Sequence, residues 1–530
     1  MSGRTAGDGR GGVHGGAPYL KEGFQAARWE EPPIMVQGSP GERGVLPPAL
    51  ELGIRAVVGD PAALVPAGLL RAVPPHLPEL AQPQVLRHYL RLTQMTMGTD
   101  VNIDFGLGSC TMKYSPKVNE QLARLPQMAD IHPLQDDETV QGILEIVYRF
   151  GRICCELSGL DAVSFQPGAG AQAIFTNASI IRAYHDSRGE ADTRDEIITT
   201  IFSHPADSAT PAVCGYKLIV LYPDDSGYPD LEALKAALSE RTAGVMITNP
   251  EDTGLYNPRI REYTDAVHAV GGLCSYDQAN LNGIMGIARA KEAGFDLCHY
   301  NLHKTFSSPH GSMGPASGAV MTTAALRRFL PKPLVEFDGE RYYLDHDLPD
   351  SIGKVRQFLG NLQVVLRSYA WVMSLGADGL VQASETAVLN NNYLSERLAK
   401  VRGLTLPYAP GVRRLDEARW SWGTLHEDTG VGSEDIEKRI IDYGVNNYFG
   451  SHEPWVVPEP FTPEPAESYS RADMDEYVEI MVRVAHEAYA TPELFKEAPY
   501  RSSVPFLDEE PMHDINKVIT TWRVWARQQG

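Results

Sequence analysis

Two apolar runs in the chain each stop at a charge. Gly271-Gly272-Leu273-Cys274-Ser275-Tyr276 leads into Asp277, and Phe295-Asp296-Leu297-Cys298-His299-Tyr300-Asn301-Leu302-His303 leads into Lys304. A charge is not left in a dry strand without a partner, so each run reads as a buried strand whose last residue emerges at its carboxyl end. Open α/β sheets gather ligand chemistry at those ends. The stretch from 275 to 319 therefore limits the fold more than any other part of the sequence.

The surrounding pattern agrees. Asp161 to Gln166, Glu196 to Phe202, Lys217 to Tyr222 and Ala243 to Thr248 read as strands, rich in β-branched residues. Between them, Glu138 to Leu160, a stretch through Tyr184, Asp230 to Ser239 and Ile260 to Val270 carry helical periodicity. Ser158-Gly159 supplies a glycine stop. Strands alternating with helices of this length predict a largely parallel sheet covered on both faces. Beyond about residue 350 the spacing predicts long helices over Val355–Trp371 and Ala387–Val401, then Glu434–Tyr443 with Ser433 as N-cap, and Arg471–Ala490. The expected division is an N-terminal arm over 1–75, a large α/β domain over 76–375 and a small α+β domain with a tail over 376–530. The Gly-rich start is expected to be loose, and the proline-rich arm to lie on another surface, such as a second subunit. A helix over Pro83–Met97 is expected to gather Val85, Leu86, Tyr89, Leu90 and Leu92 on one side.

A second feature lies upstream. The strand at Asp161 runs into Pro167-Gly168-Ala169-Gly170-Ala171-Gln172 and then a helix. In a strand, small-residue turn and helix start, backbone N–H groups and the helix N-terminus can bind phosphate. His204, Asn249, Asp277 and Lys304 all fall at strand ends. Together these point to a pyridoxal 5'-phosphate site. Lys304 would hold the aldehyde as a Schiff base, and Asp277 would keep the pyridine nitrogen protonated for carbanion chemistry at Cα. Asn249 would reach the ring 3-oxygen, His204 would lie on the ring face, and Gly168 to Gln172 would take the phosphate.

The net charge of −21 argues against nucleic acid or an anionic membrane as the main partner. No apolar run of membrane-spanning length is present, the start lacks a signal-peptide core, and a cytoplasmic chain is expected. The six cysteines form no CxxC pair, so buried thiols are expected in place of disulfides or a zinc site.

Several longer motifs stand in one order: FGLGSCTMKY, HPLQDDETVQG, QPGAGAQ, YDQAN followed by NLNGIMG, and NLHKTF followed by PHG. They resemble the pyridoxal-phosphate half of glycine decarboxylase, the P-protein of the glycine cleavage system, in its separate subunit 2 form. The resemblance runs from about Pro32 to beyond Pro499. It implies fold type I (aspartate aminotransferase-like), a Schiff base at Lys304 and cofactor contacts extending to Ala279 and Thr305. It also implies a homodimer, or a heterotetramer with a subunit 1, and transfer of an aminomethyl group from glycine to a lipoyl carrier protein. Through the motifs, Ser109, Thr111 and Lys113 are candidates for the substrate carboxylate.

The chain also departs from the family pattern near the chemistry. Gly311-Ser312-Met313-Gly314 stands where the family has a run of glycines. Pro205-Ala206-Asp207-Ser208 follows His204 in place of Gly-Thr-Asn-Pro, Glu251-Asp252 follows Asn249-Pro250, and Gln278 replaces a glycine. Glu251, Asp252, His303, His310, Ser312 and Met313 are accordingly expected on the substrate side. Three readings follow. The first is an enzyme diverted to a larger amino acid, resembling the annulating enzymes of altemicidin-type biosynthesis that join S-adenosylmethionine to NAD. The second is an ordinary glycine decarboxylase subunit 2. The third is an inactive assembly subunit.

Overall fold

The computed structural model describes residues 20, 30–73, 75–111, 113–132, 135–310, 316–450, 452–453, 455–503, 510–519 and 521–528, without the side chains of Ser109 and Glu510. Contacts divide the chain into two units, Met1–Lys21 with Gly98–Lys496, and Glu22–Met97 with Glu497–Gly530.

The larger unit is built on a seven-stranded sheet: β1 Ala162–Ser164, β2 Glu196–Thr200, β3 Lys217–Leu221, β4 Thr242–Thr248, β5 Leu273–Asp277, β6 Leu297–Asn301 and β7 Gly318–Thr322. Its order is β1-β7-β6-β5-β4-β2-β3. β7 runs antiparallel to both its neighbours, and the remaining pairs are parallel. β4, β5 and β6 are buried along nearly their whole length, which explains why they read as unbroken apolar runs. Helices α1 Gln141–Ser158, α2 Gly170–Ser187, α3 Ala206–Val213, α4 Leu231–Ala237 and α5 Ile260–Ala269 connect the strands. α1 ends where expected, because Gly159 takes φ 73°, a left-handed cap that glycine reaches without strain.

Core side chains fill both faces of the sheet. On one, Phe150 of α1 stacks on Phe165 with ring centroids 5.3 Å apart and meets Phe306 edge-on at 5.8 Å. Phe306 lies two residues beyond Lys304, so this aromatic cluster underpins the turn that carries the lysine. A long helix, α6 Leu362–Leu398, spans the two segments expected as separate helices; it turns at Gly376, whose φ 68° and ψ 179° are non-helical. A separate apolar cluster joins Phe105 and the end of α6 to Trp420, Trp422, α7 Ser433–Ile440 and α8 Arg471–Ala490. Ser433 is the first helical residue of α7. The cap is Gly432, whose N–H donates to Asp435 at 2.9 Å.

In the smaller unit, Glu31 is clamped by Arg91 at 2.8 Å and by His88 at 2.7 Å. The helix Gln82–Gln94 does not bury the side predicted apolar. Leu86, Tyr89 and Leu90 are more than half exposed, and His88 is its buried residue. The arm leaves Leu52, Val57 and Leu64 exposed as well. The expectation for the Gly-rich first residues lies outside the described residues. No helix among those described is long and apolar enough to cross a membrane. All six cysteines are free thiols.

Phe150→Ala is expected to destabilise the larger unit by about 3–5 kcal/mol, the usual range for a buried phenylalanine. A lowered urea midpoint measures it; an unchanged midpoint contradicts the role given to this cluster.

Candidate active site

Strand register builds the site. Thr248, Asp277 and His299 face one another across β4, β5 and β6 and form one row at the carboxyl edge of the sheet. Asp277 is 4% exposed. Its Oδ1 accepts the Ala279 N–H at 2.8 Å, and His299 Nε2 lies 3.3 Å from the same oxygen. Asp207, in the first turn of α3, faces Asp277 from the other side. Burial raises the Asp277 carboxyl, but His299, the hydrogen bond from Asp207 and His204 outweigh it and hold the group below its ordinary value. Asp207 moves the opposite way, driven up by burial and then by the charge of Asp277. The shared proton thus rests on Asp207 and the charge on Asp277. Among the described residues, Asp207 Oδ2 and His299 Nε2 are buried with no partner besides Asp277.

Lys304 follows β6 in a tight turn, with its N–H donating to Asn301 O at 3.0 Å and its carbonyl accepting from Ser307 at 3.1 Å. It is 6% exposed. His204, His303 and His310 are among the imidazoles in its field. His204 is held down to about 4 by burial and then by Lys304. His310 is held to about 4 by the same two causes. His303 is held to about 3 by burial, then His310 and Lys304. All three are neutral at physiological pH. The His204 Nδ1 accepts the Ala206 N–H at 3.1 Å, so its ring proton sits on Nε2, and its ring packs edge-on against His452 at 4.9 Å. His303 and His310 meet edge-on at the same separation.

The small-residue turn is crowded around its glycines. A Cβ on Gly168 would fall 2.0 Å from Arg356 Nη1, and one on Gly170 would fall 2.6 Å from Asn301 Nδ2. Gly170 opens α2, an 18-residue helix whose first N–H groups have no carbonyl within the helix to bond. Gln172 closes the turn by accepting the Gly168 N–H at 2.6 Å and donating to Val355 O at 2.7 Å. Ala169 and Ala171 flank Gly170 on this turn.

Other expected residues are occupied elsewhere. The Asn249 amide accepts from Asn257 N at 2.7 Å and donates to Asn257 O at 3.4 Å, so it closes the loop after β4. Thr305 Oγ1 accepts the Leu281 N–H at 2.8 Å. Thr111 donates to Glu464 at 2.7 Å and accepts from Asn280 and Asn282. Lys113 pairs with Glu467 at 2.9 Å and lies 4.4 Å from the centroid of the Trp371 ring. Neither Thr111 nor Lys113 is therefore offered to a substrate carboxylate. Glu251 accepts from the Thr200 hydroxyl, and Asp252 pairs with Arg419. Gln278, beside Asp277, is 1% exposed. Ser312, Met313 and the Ser109 side chain lie outside the described residues.

A family model described as glycine dehydrogenase, C-terminal domain, matches residues 383–498. A probable glycine dehydrogenase (decarboxylating) subunit 2 from Pyrococcus abyssi is 42% identical over 508 residues, 95% of this chain and 98% of the relative. The chain belongs to the glycine dehydrogenase (decarboxylating) subunit 2 family. A second member, from Caldanaerobacter subterraneus, is 44% identical over 84% of this chain and 90% of its own length. Among solved structures, a glycine decarboxylase (P-protein) of the glycine cleavage system in inhibitor-bound form has a TM-score of 0.68 at 20% identity, covering 83% of this chain and 100% of that one. A NifS-like protein has a TM-score of 0.56 at 15% identity, covering 73% and 99%. The fold is the type I fold of pyridoxal-phosphate enzymes, and pyridoxal 5'-phosphate is the family's cofactor.

Sequence reasoning missed four residues of the site. His299 was hidden inside a strand, and only cross-strand register sets it beside Asp277. Asp207 stood out as a departure from the family, but not as a partner of Asp277. Arg356 and Arg419 come from distant segments, and nothing local marks them.

Glu251 is buried, and burial pushes its carboxyl up to about 8. Its folded value exceeds the ordinary 4.5, so its favourable contribution is complete below that value and is lost as pH rises through about 8. Glu251→Gln stays neutral throughout. Between about pH 6 and pH 9 its melting temperature is expected to fall less than that of the wild type, by a few degrees. Parallel curves for the two proteins contradict this.

Proposed function

We propose that this chain is the cofactor-bearing catalytic subunit of a glycine decarboxylase, releasing carbon dioxide from glycine and passing the aminomethyl group to a lipoyl carrier. The observation that carries this is that Asp277 ends β5 and Lys304 follows its neighbour β6, in a chain that matches glycine dehydrogenase (decarboxylating) subunit 2 over 95% of its length. The residues present fit the cofactor. Gly168 to Gly170 and the α2 N-terminus would take its phosphate, with Arg356 supplying positive charge. Ionised Asp277 would bind the pyridine N–H, and His204 would lie against the ring. Asn249 has one Nδ2 hydrogen left for the ring oxygen.

When bound, the cofactor supplies an electron sink for the pair released at Cα. The protein supplies the rest. Lys304 would hold the aldehyde, and its Nζ, when free, would carry a proton to and from Cα. Asp277 keeps the ring nitrogen protonated, and the proton on Asp207 prevents two adjacent buried carboxylates from both being charged. The neutral His303 and His310 add no charge beside Lys304.

The relatives are called subunit 2, which implies a companion subunit 1. The exposed Leu52, Val57 and Leu64 of the arm suit burial against a second subunit, in a homodimer or a heterotetramer. Diversion to S-adenosylmethionine and NAD finds no support in the two sequence relatives described above, both named as glycine dehydrogenase (decarboxylating) subunit 2. An inactive assembly role conflicts with an intact Asp277–Lys304 pair.

With subunit 1 and a lipoyl carrier supplied, glycine-dependent exchange of labelled bicarbonate is expected. Lys304→Ala should lose at least about 10³-fold of it, together with the cofactor's absorbance near ~420 nm. No exchange by the complete wild-type system refutes the glycine reading.

A further inference from the structure

A guanidinium out of water needs a partner for each N–H. Arg419 is 2% exposed, yet among the described residues only its Nη2 finds a partner, Asp252. Its Nε and Nη1 are buried with no partner. Nη2 carries two hydrogens, one on each bidentate edge of the guanidinium. A single bond to Asp252 leaves the opposite edge whole, and that edge matches the geometry of a carboxylate.

The position of Arg419 is set by backbone contact. It precedes the short strand Trp420–Ser421, whereas Asp252 lies in the loop after β4. Leu415 N donates to Gly254 O at 2.9 Å, and a Cβ on Gly254 would fall 1.9 Å from Glu417 O. This close approach brings Arg419 to the carboxyl edge of the sheet. Its guanidinium lies 5.1 Å from the centroid of the Phe202 ring, two residues before His204. His452, packed on His204, is held low by burial, with Arg419 and Lys304 both acting on it and Asp252 opposing. Arg419 and Lys304 therefore act on one imidazole.

The other acids facing Arg419 do not cancel its charge. Burial pushes Glu251 up to about 8, Glu453 up to about 7 and Glu417 well above the carboxylate range. Asp252 is the counter-ion. The unmet groups on the guanidinium are donors, which selects an anionic acceptor.

We propose that Arg419 is the carboxylate-binding residue for the amino-acid substrate, receiving the α-carboxylate on the edge opposite Asp252 while the substrate amine is directed to Lys304. This rests on the amino-acid chemistry proposed above. It assigns to Arg419 the role that the motifs had suggested for Ser109, Thr111 or Lys113.

The test uses two probes that consume the cofactor's aldehyde whichever amino acid the enzyme accepts. Aminooxyacetate carries a carboxylate and O-methylhydroxylamine does not. Rates are read as loss of absorbance near ~420 nm from the holoenzyme. Arg419→Met, and the double variant Arg419→Met with Asp252→Asn, which strands no charge, should react with aminooxyacetate about 10- to 100-fold more slowly. Both should react with O-methylhydroxylamine within about twofold of the wild-type rate, and Arg419→Lys should recover part of the loss. In the wild type, acetate should slow aminooxyacetate alone. Equal slowing of both probes in the variants, unchanged aminooxyacetate rates in the double variant, or no selective effect of acetate would each overturn the proposal. Carboxylate selectivity in an enzyme that shows no glycine exchange would remove the glycine reading and leave Arg419 in place.

Discussion

A carboxylate kept ionised without water is the constraint on which this site depends. Asp277 sits at the end of a strand buried on both faces, where desolvation alone would make it take up a proton. Four neighbours prevent that: the imidazole of His299 on the next strand, a protonated Asp207 on α3, His204 and the Ala279 N–H. They come from separate segments of the chain. The parallel order of β4, β5 and β6 sets their strand ends in one row, so the same register that buries Asp277 also supplies what keeps it charged.

The surroundings of Lys304 follow a complementary logic. His204, His303 and His310 lie in its field, and burial keeps each of them neutral. Protonated imidazoles there would add repulsion in a low-dielectric pocket. Neutral rings fill the space as flat, hydrogen-bonding surfaces. At the phosphate turn, glycine is needed for a different reason. The Arg356 and Asn301 side chains approach so closely that a Cβ has no room.

Sequence pattern served well where chemistry and periodicity coincide and poorly where partners are distant. Asp277 and Lys304 were legible because a charge interrupting an apolar run has few explanations. The Gly168–Gln172 turn was legible because few residues permit it. Lys113 was misjudged: as a cation in a glycine-rich motif it looked available, yet a carboxylate 354 residues away holds it. Thr111 failed in the same way through Glu464. The helix Gln82–Gln94 has the expected apolar spacing, but in the isolated chain its apolar residues face outward, because spacing does not say which partner covers a face.

By itself, the sequence determined an α/β sheet with chemistry at its carboxyl edge, a lysine and an aspartate as the central pair, and membership of one family. These follow from local rules: burial of apolar runs, turn geometry and the order of motifs. Only the tertiary structure decided that Asp277 stays charged through His299 and Asp207, that Thr111 and Lys113 are taken, and that Arg419 is buried with two unpaired donors. Those outcomes depend on strand register and on contacts across hundreds of residues. Charge and hydrogen bonding act through space, and the distance along the chain carries no record of them.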